Sequence, residues 1–284
     1  MNFYKVSNLV GNGLILLGAG LCASALMLVI STSANAQQSA TDIPRKEANY
    51  KQDEVADPWL GGVWQFGAFG QIESNPYRGA DTIEIGGLPL LAYDADRLHI
   101  GTDGISVTAW ENDYASFSVI GDLRMKPFDD DDSAYLRGMH ERDMAYEVGG
   151  EFSSRLWRGE LTASYLTDVN DAHDGHEGDL TYTIPMDWQD VTFDWSGGVL
   201  WQSEKLANYH VGVSGNEVRS DRSAYDADAA FIPHLDLSVT YPITESLILL
   251  GTSGIQFLPD SYTDSPLIDE DYVYSIGLGL VYNF

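Results

Sequence analysis

The chain has 284 residues, with 43 acidic against 15 basic side chains and a formal charge of −28. That balance excludes a polyanionic nucleic acid as partner and favours cationic partners or divalent ions, although solvated acidic loops are its ordinary cause. The one cysteine, Cys22, lies near the N-terminus, so the rest of the chain has no disulfide framework, no zinc–cysteine site and no thiol for catalysis.

Met1 to Ala36 carry a single charge, Lys5, followed by the apolar run Leu14 to Ile30 and the small triplet Ala34-Asn35-Ala36 just before Gln37. That order predicts a cleaved secretory signal peptide over residues 1–36. A single membrane anchor is the other reading, but Gly18, Gly20 and Ser24 interrupt the run, which is barely long enough to span. Leu21 stands before Cys22 where a lipoprotein needs a small residue. Removing 36 of 284 residues leaves 248, enough for one large β domain, and losing Lys5 takes the charge from −28 to −29. Beyond the leader no run approaches the roughly 20 apolar residues of a membrane helix, so a mature chain in a membrane must cross it as a closed barrel.

Residues 37–58 are polar and without apolar rhythm, which predicts a flexible N-terminal segment. From Trp59 to Phe284 the texture changes to short aromatic-rich runs broken by Gly, Asp and Asn, the pattern of a transmembrane antiparallel β-barrel. Met144, Tyr146, Val148, Gly150 and Phe152 alternate with Ala145, Glu147, Gly149, Glu151 and Ser153, as the two faces of a strand must when they meet different solvents. Gly159 to Thr167 and Gly178 to Pro185 repeat the scheme with less contrast. In Val191 to Trp201 the apolar face is Val191, Phe193, Trp195, Val199 and Trp201, with aromatics at both ends as in a lipid-facing strand. Ala227 to Tyr241 sets Phe231, Leu235, Leu237, Val239 and Tyr241 against Asp228, His234, Asp236, Ser238 and Thr240, and Pro233 predicts a bulge or the edge of the apolar band. Leu247 to Phe257 is again weaker. In the last strand Tyr272, Tyr274, Ile276, Leu278, Leu280, Tyr282 and Phe284 oppose Ser275, Gly277, Gly279 and Asn283, and the sequence stops on the aromatic Phe284, a form that resembles the signal read by the barrel-assembly machinery of the outer membrane.

Connection lengths alternate. Those around Pro242–Ser246, Met186–Asp190, Arg155–Arg158 and Glu111–Tyr114 are short; those around Leu258–Asp271, Gln202–Asp226, Asp168–Glu177 and Lys126–Arg142 are longer. Bacterial barrels keep short turns in the periplasm and long loops outside. Counting back from the C-terminus gives about eleven segments, one too few for a periplasmic N-terminus. The dipeptide Asp103-Gly104 within Leu98–Trp110 is a hairpin signal that supplies the missing strand, which makes twelve, with ten as the alternative.

Candidate chemistry is sparse. His99, His140, His173, His176, His210 and His234 are scattered, and none sits in a spacing that supplies a Ser-His-Asp or paired-carboxylate site. His234 and Asp236 share a strand face and point into the lumen together, as a polar lining would. His173, Asp174, His176 and Glu177, with Asp171 and Asp179, cluster on an external loop, and Asp129 to Asp132 form a four-acid run; neither matches a defensible metal-ligand set, and both read first as solvated loops able to share divalent ions with lipopolysaccharide phosphates. No catalytic, cofactor or metal residue is assigned. Glu147, Glu151, Glu160 and Asp194 are expected to line the interior, which would suit a small cation-preferring pore. An outer-membrane enzyme is the third reading.

The stretch Asn75-Pro76-Tyr77-Arg78-Gly79-Ala80-Asp81, then Leu88-Pro89-Leu90-Leu91-Ala92-Tyr93 and Arg97, resembles the start of the MipA/OmpV family, the MltA-interacting outer-membrane proteins. Leu136-Arg137-Gly138-Met139 with Arg142, Gly212-Val213-Ser214, Ala224-Tyr225, Ser265-Pro266-Leu267-Ile268 and Val281-Tyr282-Asn283-Phe284 continue the resemblance in order. Val211 stands directly before Gly212, where the family pattern carries an aromatic. The resemblance implies an outer-membrane barrel that serves as a scaffold for a periplasmic murein hydrolase or synthase, with outer-membrane lipid and lipopolysaccharide around it.

Overall fold

The computed structural model describes residues 59–284; the expected signal peptide and polar segment lie outside these. Twelve antiparallel strands close into one barrel in which each strand pairs with its sequence neighbours and the first pairs with the last. They are β1 (Val63–Ser74), β2 (Ile83–Asp94), β3 (Leu98–Gly101), β4 (Gly104–Glu111), β5 (Ala115–Arg124), β6 (Ala145–Leu156), β7 (Gly159–Asp168), β8 (His176–Trp188), β9 (Val191–Gln202), β10 (Ala230–Pro242), β11 (Leu247–Phe257) and β12 (Tyr272–Asn283), with helices α1 (Glu204–Val211) and α2 (Asp260–Thr263) in connections. Closure runs from Gln65↔Asn283 to Glu73↔Ser275, so it uses nearly all of β1 and β12 and leaves no free edge there.

The outward faces explain the period of two. Val148, Leu180, Val199, Leu235, Ile276 and Leu278 form an exposed apolar band. Trp64, Trp110, Phe117, Trp157, Trp188, Tyr241 and Tyr282 ring it at the short-turn end, and Tyr146, Tyr165, Phe231, Phe257 and Tyr272 ring it at the long-loop end. Two aromatic girdles around an apolar belt are the dress of a barrel in lipid, because amphipathic rings settle at the two interfaces.

The missing strand is where Asp103-Gly104 placed it: β3 and β4 form a hairpin through Thr102 and Asp103, with Gly104 at φ 124°. The other short connections are 95–97, 112–114, 157–158, 189–190 and 243–246, and the long ones are 75–82, 125–144, 169–175, 203–229 and 258–271. Pro233 makes no bulge. The only register shift in the β4–β5 pair lies between Thr108 and Trp110, while Pro233 sits one residue beyond the β11 ladder, which starts at His234. Pro89, Pro185 and Pro242 likewise sit where one neighbouring ladder has ended, so no strand proline deprives a partner of a donor. Ala227 to Ala229, expected at the start of a strand, precede β10, which begins at Ala230.

The long connections do not hang free. Tyr77, Phe128, Leu136, Met139, Ala207, Val211, Val213, Ala227, Leu258, Tyr262, Leu267 and Ile268 from four of them join Leu200, Ala230, Ile232 and Val273 at the strand ends in one buried apolar core. Segments from around the ring therefore converge on a cap over the barrel mouth. Val211, the departure from the family pattern, is fully buried there, as a compact side chain suits.

Candidate functional site

Below the cap, the inward face of β5 to β10 is polar. Arg124, at the end of β5, is 1% exposed and has no water to solvate its charge. Its Nε donates to Glu147 (3.0 Å), and its Nη2 donates to Glu147 and to Glu177, each at 2.9 Å. Gln202 donates to the other oxygen of Glu177 at 2.9 Å and receives the hydroxyl of Tyr262 from the cap. On the opposite flank His173 Nε2 lies 3.1 Å from Glu147, while its Nδ1 accepts the Gly175 amide at 2.9 Å. An accepting Nδ1 puts the proton on Nε2, directed at Glu147. The line His173–Glu147–Arg124–Glu177–Gln202–Tyr262 thus ties connection 169–175 to connection 258–271 across the mouth. Removing either sign of charge from it would strand the other in a dry site.

Deeper in the lumen His234 lies between Asp236 (Nδ1, 2.7 Å) and Asp179 (Nε2, 3.0 Å), and Thr181 donates to Asp179 at 2.5 Å. A Cβ on Gly198 would come within 2.4 Å of Thr181 Oγ1 and 2.5 Å of His234 Nε2, so only glycine fits opposite this knot. His99 repeats the arrangement between Asp94 (2.7 Å) and Asp103 (2.9 Å). Neither is a hydrolytic triad. Both imidazole nitrogens face carboxylates, and the nearest hydroxyl gives its proton to a carboxylate.

Inward apolar side chains of β1, β2, β11 and β12, namely Phe69, Leu88, Leu90, Ala92, Ile248, Leu250 and Val281, pack into a second core. Phe69 lies over Gly277 and Gly279, where a Cβ would meet its ring at 2.1 and 2.7 Å. The two glycines of the terminal strand's inner face make room for that ring.

A cleft of about 700 Å³ opens in the cap, lined by Arg142, Tyr209, Glu217, Lys205, Tyr225 and Asp226 among others. Arg142 donates to the carbonyls of Tyr209 (3.1 Å) and Gly212 (3.2 Å) and to Glu217 (3.2 Å). Glu217 also accepts the His140 and Ser214 amides at 2.8 and 2.7 Å. Burial opposes ionisation of Glu217, but these amides and Arg142 hold its carboxyl below the usual range. His210, wholly buried beside the cleft, is kept neutral first by that burial and then by the charges of Arg124 and Arg142. With its main cation and anion committed to each other, the cleft offers small polar molecules a surface but no nucleophile with a base.

The expected interior residues Glu147, Glu151, Glu160 and Asp194 all face inward, and His234 and Asp236 share the lumen as expected. The external His/Asp cluster does not hold together. His173 turns inward, His176 begins β8 and stacks on Tyr165, Asp174 meets Lys205 at 3.4 Å, and Asp179 is a lumen residue of β8, not a loop residue. Asp129, Asp131 and Asp132 do bring oxygens within 4.8 Å of one another, with Asp130 outside the group and Lys126 already on Asp129. His140 lines the cleft. Arg124, Glu217 and the Asp94–His99–Asp103 knot escaped sequence reasoning, and Glu177, expected on the external loop, is instead the first of the inward polar residues Glu177, Asp179 and Thr181 of β8.

Comparison with known proteins finds relatives among outer membrane proteins. The chain is 28% identical over 222 residues to the outer membrane protein YiaT of Escherichia coli (strain K12), covering 77% of this chain and 89% of the relative. It is 26% identical over 237 residues to the MltA-interacting protein of the same organism, covering 78% and 91%. An outer membrane channel from Pseudomonas putida F1 superposes at a TM-score of 0.41 with 12% identity, over 84% of this chain and 100% of that one. Residues 66–284 match the family described as MltA-interacting protein MipA, and the chain belongs to that family of outer-membrane β-barrel proteins.

Proposed function

We propose that this barrel is an outer-membrane scaffold that holds a periplasmic murein-processing enzyme, and is not itself an enzyme. The observation that carries the reading is the filled barrel, capped by one apolar core at the mouth and packed by a second on the β1–β2–β11–β12 side, in a family named for a protein interaction. A filled barrel is poorly suited to conduction and well suited to presenting a surface. On the short-turn end, periplasmic in barrels of this build, the turns have only two to four residues. A stable interface needs roughly 800 Å² from each partner, more than such turns supply. The docking surface is therefore residues 37–58, whose Arg45, Lys46 and Lys51 reach an acidic patch that the rest of the chain repels.

The test deletes residues 39–55 and measures co-purification of murein hydrolases and synthases from detergent-solubilised membranes, with heat-modifiable migration to confirm the barrel. Loss of capture with an intact barrel is expected; undiminished capture removes the segment from the interface. A cation-preferring pore is the second reading, favoured by inward Glu151, Glu160, Asp179 and Asp194. Planar-bilayer recordings separate the two, because steady cation-selective steps from the purified barrel would favour the pore.

A further inference from the structure

The cleft in the cap has a shape fixed by bonds within its walls. Three connections line it, 125–144, 169–175 and 203–229, the last including α1. Lys205, Asn208, Tyr209 and Gly212 follow one another at helical spacing, so one flank of α1 forms a wall. Asn208 clasps the end of its own connection: its amide nitrogen donates to the Ala227 carbonyl and its oxygen accepts the Ala227 amide, both at 2.9 Å. Val213 and Tyr225 exchange two backbone hydrogen bonds, at 2.9 and 3.0 Å, and the Tyr225 hydroxyl donates to the Ser261 carbonyl at 3.1 Å. Arg142 and Glu217 tie connection 125–144 to connection 203–229. A ligand that enters therefore meets walls already ordered, and little of its binding energy goes into ordering them.

Neither sign of charge dominates the lining. Arg142 meets Glu217 at 3.2 Å, and Lys205 lies 3.4 Å from Asp174 and shares the cleft with Asp226. An ion gains little where cation and anion alternate in this way. Hydrogen bonding is what the cleft offers instead. Lys205, Ser214 and Asp226 are exposed, so an ammonium and a hydroxyl that donate and a carboxylate that accepts are open to a ligand. Ala172, Ala224 and the half-buried Tyr225 set apolar surface among them. The volume, about 700 Å³, is that of a small-molecule site.

We propose that this cleft binds a short neutral saccharide. A sugar carries no charge, its hydroxyls both donate and accept, and its C–H faces lie on apolar and aromatic side chains, which is the mixture that this lining supplies. The Asp226 carboxylate accepts from neighbouring hydroxyls of the sugar, and Lys205 and Ser214 donate to its oxygens. Long connections face outward in barrels of this build, so the saccharide arrives from outside the cell. This inference does not depend on the scaffold reading, which concerns the periplasmic end.

The test is saturation-transfer NMR on the purified barrel in a detergent without sugar head groups. The probes are maltotriose, lactose, mannobiose and N,N′-diacetylchitobiose, with triglycine and citrate as zwitterionic and anionic comparisons. Saturation should reach at least one of the saccharides, and neither triglycine nor citrate at equal concentration should displace it. Asp226→Ala should weaken binding about tenfold, the effect of losing one charged hydrogen-bonding group. Ala224→Trp, at an exposed position in the wall, should abolish binding by filling the cleft. Asp130→Ala, exposed in the same cap but outside the lining, should leave it unchanged. Heat-modifiable migration confirms that each variant is folded. Saturation of none of the saccharides, displacement by triglycine or citrate, or binding unchanged in either Asp226→Ala or Ala224→Trp would each overturn the proposal.

Discussion

The two halves of the lumen are built on opposite principles. From β5 to β10 the inward side chains are charged or hydroxylic and hold one another by ion pairs and hydrogen bonds, as around Arg124 and His234. From β11 through β12 to β1 and β2 a core of aliphatic and aromatic side chains holds by close packing around Phe69, with Gln65, Glu73, Glu84 and Gln256 also on the inward face. Both halves present the same apolar face to lipid. The barrel therefore does not need a polar interior, because close packing fills the lumen as well as pairing does.

The largest effect should come from breaking the paired half. Arg124→Met leaves Glu147 and Glu177 buried without a counter-charge, at a cost of about 3–5 kcal/mol. The triple replacement Arg124→Met, Glu147→Leu and Glu177→Met should recover most of this, since packed apolar groups substitute for a buried ion cluster. Urea midpoints of the folded band report both; a triple variant as weak as the single would show that the charges act beyond mutual compensation.

Next, Leu250→Ala in the packed half should cost about 2–5 kcal/mol through the cavity it leaves. Ser238→Ala and Thr240→Ala should each cost less than about 1 kcal/mol, because neither buried hydroxyl has a partner among the described residues. Similar losses in the two halves, read from the same urea transitions, would erase the contrast.

Gly277→Ala is a finer probe. Its Cβ would lie 2.1 Å from Phe69 Cζ, and forcing that ring aside should cost about 1–3 kcal/mol. In a Phe69→Leu background most of the penalty should vanish; a penalty that persists would place the strain in the backbone of β12.

The smallest effect is confined to the cap. The Glu217 carboxyl is held below its ordinary value of 4.5, by amides and Arg142 working against burial. A depressed carboxylate contributes stability that is complete above about pH 4.5 and lost as pH falls through the lower folded value. Hydrogen exchange over residues 212–226 should therefore accelerate on acidification below pH 4.5 while the strands stay protected, and Glu217→Gln should exchange fast already at neutral pH. Exchange in the wild type that is flat down to pH 3 would dismiss Glu217 as the latch.

The same contrast explains what could be read in advance. β6, β9 and β10 stood out because Glu147, Asp194 and Asp236 alternate with Val148, Trp195 and Leu237. β11 showed little contrast because Ile248 and Leu250 face inward while Leu249 faces lipid. A period of two is visible only when the faces meet different media. β12 stayed legible because Gly277 and Gly279, required by Phe69, stand in for polar residues.

By itself the sequence determined the barrel, the twelve strands, the alternation of short turns and long loops, and the family. Each of these rests on local periodicity, turn chemistry or spacing along the chain. Only the tertiary structure decided that Arg124 joins Glu147 and Glu177, that His99 and His234 each sit between two aspartates, that four connections pack into a cap, and that β3 is only four residues long. The reason is physical: a residue's own pattern sets which face it shows, but which groups meet inside a closed barrel depends on how twelve strands are sheared around one axis, and that is a property of the whole ring.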